Sequence, residues 1–96
     1  MASKKDAYIA KLRAQLDEWG TEIDKLKAKA DKAGADIQLE YHRQVDELRA
    51  MQATADQKLT ELKEASEHTW DSLKENIDIK WNSLGDKLKA VTSKFQ

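Results

Sequence analysis

The chain has no cysteine, no proline and only three glycines among 96 residues. Without thiols there are no disulfide staples and no thiolate chemistry, and redox compartment is left open. Without proline, no residue forces a helix to stop or kink. A charge excess of one sign is also missing, with 17 basic against 18 acidic side chains. Residues 1–36 carry eight basic and seven acidic groups, residues 37–66 four and six, and residues 67–96 five and five. A nucleic-acid binder concentrates basic charge on one face, so nucleic acid is not an expected partner. No apolar run approaches a membrane span. The opening MASKKDAYIAKL holds no apolar core of signal-peptide length. The expected location is therefore the cytoplasm.

What remains is a chain with 36% charged and 40% hydrophobic residues, the profile of a long helix or coiled coil. Its apolar positions are regularly spaced. Leu12, Leu16, Trp19, Ile23, Leu26, Ala30, Ala33 and Ile37 alternate steps of four and three, a heptad seam. Beyond it the spacing lengthens to eleven in three registers. Ile37, Leu48, Leu59, Trp70 and Trp81 form one; Met51, Leu62, Leu73, Leu84 and Phe95 a second; Ala55, Ser66, Ile77 and Leu88 a third. Eleven residues fill about three helical turns, so each repeat returns to the same face. A heptad seam winds left-handed, whereas an eleven-residue seam runs straight or slightly right-handed.

The predicted fold is all-α: one domain over 1–96, with a heptad segment at 8–37 and an eleven-residue segment at 38–95. The phase is unbroken from Leu12 to Phe95, which favours a nearly continuous helix of about 130 Å at 1.5 Å per residue. The rival is a hairpin. Its best turn is Lys32–Asp36, where Gly34 can stop a helix; a second candidate is Glu64–Glu67, with Ser66 as N-cap. A single amphipathic helix cannot bury its own stripe. The seam is therefore expected to pair with copies of itself, with the alternatives of another helical protein or a lipid surface. The expected homo-oligomer interface is Leu12, Leu16, Trp19, Ile23, Leu26, Ile37, Leu48, Leu59, Leu62, Trp70, Leu73, Ile77, Trp81, Leu84, Leu88 and Phe95. In a parallel dimer the flanking pair Glu22–Lys27 would attract; helix direction stays open.

On a wheel of residues 48–91, Lys63 and Lys74 border one side of the stripe and Lys58 and Lys80 the other. Glu64, Glu75 and Asp86 occupy the far face. Basic borders suit lysine stems lying along apolar surface, with ammonium groups reaching lipid headgroups. Over residues 48–95 this pattern resembles the exchangeable apolipoproteins and related lipid-surface proteins. A second resemblance covers most of the chain. The segments YIAKLRAQLDEW, EIDKLKAKA, ASEHTWDSLKENID and WNSL resemble a family of small bacterial coiled-coil proteins of unknown function. That resemblance implies homo-oligomeric coiled coils and a link to stress response in some photosynthetic bacteria. Gly34 departs from the family's usual glycine-free middle.

No enzyme is expected, and no cofactor or metal site. His68 has Glu64 and Asp71 on one helical face, but two weak ligands beside a histidine are the ordinary product of a charged, solvated surface. His42 beside Tyr41 reads the same way. Paired acids need a cleft to separate their pKa values, and a thin rod has none. Gly-rich phosphate loops and nucleophile elbows are missing. Trp19, Trp70 and Trp81 fall on the seam and are predicted as core packing.

Overall fold

The computed structural model describes residues 3–95, and in them the chain folds into three helices. These are α1 (Lys4–Asp31), α2 (Ala35–Glu64) and α3 (Trp70–Lys94). No strand occurs among the described residues. The termini of the domain boundary 1–96, residues 1, 2 and 96, lie outside the described residues.

The principal extents are 51 × 21 × 18 Å, so the continuous rod of about 130 Å is overturned. Both candidate turns are used, and the chain is an up-down-up bundle. The physical reason is burial. One amphipathic helix leaves its stripe in water, whereas folding back twice covers it within a single chain.

Each break has a local cause. Ser3 caps α1 through a capping box: the Asp6 N–H donates to Ser3 Oγ at 3.2 Å and the Ser3 N–H to the Asp6 carboxylate at 3.5 Å. At its far end Lys32 and Ala33 donate to Lys29 and Ala30 carbonyls in a tightened last turn. Gly34 then starts α2, its carbonyl accepting from Ile37 and Gln38. Its φ of −62° and ψ of 152° are extended, not left-handed, so glycine is not needed for the backbone here. The expected turn is present, but Gly34 acts as the N-cap of the second helix rather than as a left-handed stop to the first. Between α2 and α3, Ala65 turns extended at ψ 148°. The N–H groups of Thr69 and Trp70 both donate to the Ser66 carbonyl, and the Ser66 N–H donates to Thr69 Oγ1 at 3.1 Å. The N-cap of α3 is Thr69 rather than the expected Ser66, and it makes no side-chain cap bond.

The core runs the length of the bundle and contains no buried charged residue among the described ones. Ile23, Leu48, Leu59, Leu62, Ile77, Leu84 and Val45 are its largest fully buried side chains. In α2 the buried positions are Tyr41, Val45, Leu48, Ala55, Leu59 and Leu62, and in α3 Ile77, Trp81, Leu84, Leu88 and Val91 follow Trp70. Within each helix these positions step by three, four or seven, the spacing of bundle helices. The eleven-residue registers that link Leu59 to Trp70 and Leu62 to Leu73 cross the turn between α2 and α3. Leu39 and Ile79 are exposed singly, which is ordinary for a surface. Among the described residues no helix is long and apolar enough to cross a membrane.

Candidate functional site

The chemistry-bearing side chains of this molecule gather where α3 seats on the hairpin formed by α1 and α2. Three aromatic pairs mark the seat. At the end holding the start of α1, Tyr8 and Trp70 lie 6.1 Å apart, tilted by 47°. Lys74 lies over both rings, its Nζ 5.3 Å from the Tyr8 centroid and 5.8 Å from that of Trp70. Midway, Trp19 and Trp81 are 6.4 Å apart. At the other end Tyr41 stacks on Phe95 at 4.1 Å. Tilted and offset geometries favour the ring quadrupoles, and the Lys74 ammonium adds cation–π attraction.

Polar contacts lock the same seat. The Tyr8 hydroxyl donates to the Asp78 carboxylate. Burial pushes the Tyr8 phenol well above its ordinary value, and the hydrogen bond and negative charge of Asp78 add to that shift. Burial also raises the Tyr41 phenol. Lys87 of α3 donates to Glu47 at 2.5 Å and to Gln44 at 2.9 Å on α2. The ammonium of Lys5 on α1 donates to the carbonyls of Ala65 at 2.7 Å and Lys63 at 3.3 Å. It thereby satisfies backbone acceptors that α2 leaves open where it ends. At the opposite turn Gln38 does the same for Ala30 and Asp31.

The helices α1 and α3 have the sparsest mutual packing of the three pairs. A cleft of about 410 Å³ lies between them, floored by Leu12, Trp19, Trp81 and Leu88 and edged by Lys11, Gln15, Asn82 and Asp86. Gly85 sets its width. A Cβ there would sit 3.2 Å from the Trp19 ring, closer than ordinary carbon contacts. Trp81 is buried, and its indole N–H has no hydrogen-bond partner among the described residues. The Tyr41 hydroxyl shares that condition.

Of the residues expected on an intermolecular seam, Leu12, Leu16, Ile23, Leu26, Leu48, Leu59, Leu62, Trp70, Ile77, Trp81, Leu84 and Leu88 are buried inside one chain. Trp19, Leu73 and Phe95 pack partly buried against them. Ile37 is 44% exposed and lies outside this core. It sits in the first turn of α2, beyond the point where the three helices overlap. The heptad and eleven-residue spacing omits Tyr41, Val45 and Val91, which are buried. A four–three reading through Tyr41, Val45 and Leu48 would have found the first two. The same spacing omits Lys5, Tyr8 and Lys87, whose partners lie 40 or more residues away in sequence, a distance no local pattern reports. Glu22 pairs with Lys25 on its own helix at 3.5 Å.

His42 Nε2 lies 3.1 Å from an Asp31 oxygen and bridges the first turn. Among the described residues no group of three or more His, Asp or Glu is placed to hold a metal ion. Glu40 is held below the usual carboxylate range, chiefly by the Gln44 hydrogen bond and then by Arg43. No family model matches the chain, and no curated protein or solved structure is similar to it.

Proposed function

We propose that this protein is a non-enzymatic, self-assembling structural protein, a scaffold of the stress-linked kind that its resemblance implies. Its partner is a second copy of itself, and no cofactor enters its action. One observation carries the reading: the apolar seam keeps phase through both turns, from Leu12 to Phe95. A chain that needed only a closed bundle could change phase at a loop without cost. A seam that persists through the loops also fits helices running from one chain onto another. The test is light scattering with small-angle X-ray scattering over a range of protein concentrations. A multimer supports the reading. A monomer with a longest extent near 51 Å at every concentration refutes it.

A second reading, peripheral binding to a lipid or granule surface, draws on Lys74 and Lys80, which flank the buried stripe of α3. Snorkelling lysines and Trp70 and Trp81 would suit that helix to an interface once it left the bundle. This reading expects helix rearrangement and a tryptophan blue shift with anionic vesicles. No response to vesicles counts against it.

A further inference from the structure

We infer that two copies of this chain assemble by exchanging α3. The break between α2 and α3 straightens, the two become one helix, and each α3 seats on the α1–α2 hairpin of the other copy. The inference rests on the self-assembly reading and names its mechanism.

The sequence carries the first argument. Leu59 to Trp70 and Leu62 to Leu73 are both eleven residues apart, so a helix continued through the break keeps them on one face. The straightened chain would present a single stripe, with no turn of helix facing the wrong way.

The backbone carries the second. At Ala65 φ is −71°, already helical, and the departure is in ψ at 148°. Thr69 stands in the right-handed helical region. No non-glycine residue among those described has positive φ, and the chain has no proline. The break spans residues 65–69, between the end of α2 and the start of α3, and neither a proline nor a left-handed residue there forbids a helix.

The third is what holds the break. Lys5 donates to the carbonyls of Lys63 and Ala65, and Ser66 and Thr69 are joined through their side chains at 2.6 Å. In a continuous helix the same two carbonyls would accept from the N–H groups of Glu67 and Thr69. One set of hydrogen bonds replaces another.

The aromatic contacts of the seat and the Lys87 ion pair survive the exchange. Tyr8 with Trp70, Trp19 with Trp81, Tyr41 with Phe95, and Lys87 with Glu47 reform between chains as they stood within one. Exchange of an identical element loses no interface, so it is opposed mainly by association entropy and favoured by concentration. The hairpin is the part that stays, because α1 and α2 form the most extensive helix pair.

The experiment combines isotope labelling with zero-length cross-linking. Heavy and light full-length chains are unfolded, mixed in equal amounts and refolded together at high concentration. The dimer fraction is then treated with a carbodiimide. Exchange predicts that about half of the Lys87–Glu47 cross-links join a heavy to a light chain, since that pair is now intermolecular. X-ray scattering should give a long axis of about 90 Å, the length of a 60-residue helix. Cross-links that stay entirely within one isotope in a genuine dimer overturn the exchange and leave self-assembly standing. A chain that is monomeric at every concentration overturns both. Glu67→Pro supplies a second arm. A proline ring there would clash with the Lys63 carbonyl in a straight helix, yet Glu67 lies in the turn before α3, where proline is tolerated. The variant should keep its helix content and lose the dimer at least tenfold in concentration; an unshifted dimer refutes the exchange.

Discussion

Leu73 and Leu84 belong to one eleven-residue register, and a straight rod would make them equivalent. The bundle makes them unequal. Leu84 is 1% exposed, while Leu73 is only partly buried at the edge of the core. Truncating a fully buried leucine to alanine costs about 2–5 kcal/mol, from lost transfer energy plus the cavity left behind. A side chain at the core's edge keeps part of its surface in water and lets solvent fill the gap, so the cost falls to about 1 kcal/mol. Total stability for a chain of this size is of order 5–14 kcal/mol, so Leu84→Ala alone removes a large share. At a urea slope of about 1.5 kcal/mol/M, a 3 kcal/mol loss moves the midpoint down by roughly 2 M. Leu73→Ala should move it by about 0.7 M on the same slope. The assay is urea unfolding followed by circular dichroism, with both variants and the parent at one protein concentration. Equal shifts for the two variants would refute the bundle packing, because they would mean the two positions share one environment.

Further outcomes follow from the seat of α3. The Tyr8 phenol is raised in the folded chain by burial and by Asp78, so the proton is held more tightly in the folded state than in the unfolded one. Its stabilising contribution is whole below the ordinary phenol value of 10.0 and falls as pH rises above it. Melting temperature should therefore drop more steeply between about pH 9 and 11 in the parent than in Tyr8→Phe, about one unit either side of the ordinary phenol value; parallel curves would remove Tyr8 from the account. Gly85→Ala sets a helix gain of about 1 kcal/mol against a Cβ placed 3.2 Å from the Trp19 ring. Trp19 is only partly buried beside the cleft and can yield by a few tenths of an ångström, so a net gain of about 0.5 kcal/mol is expected. A destabilised variant would show that Trp19 is fixed.

The particular residues show what a linear pattern can report. Leu12, Leu16, Ile23 and Leu26 were legible as one stripe because helical periodicity is local, a matter of spacing on one element. The same holds for the turns at Gly34 and Ser66, where short polar or unbranched residues interrupt strong helix formers. Their use as real breaks was not legible, since each break keeps the phase and a straight helix satisfies the same pattern. The Lys5 contact with α2, the Tyr8–Asp78 bond and the cleft beside Trp19 were invisible for another reason. Each joins residues far apart in the chain, and their meeting depends on how three helices are laid side by side.

The sequence by itself determined that this chain is helical, that its helices have one apolar face, and where that face lies. These follow from short-range sterics and the period of the helix. Only the tertiary structure decided what the face covers. Folding back at two turns lets one chain supply all three stripes, so burial is complete without the rod that unbroken phase suggested. The choice between those arrangements depends on the free energy of whole packed faces, which no single segment contains.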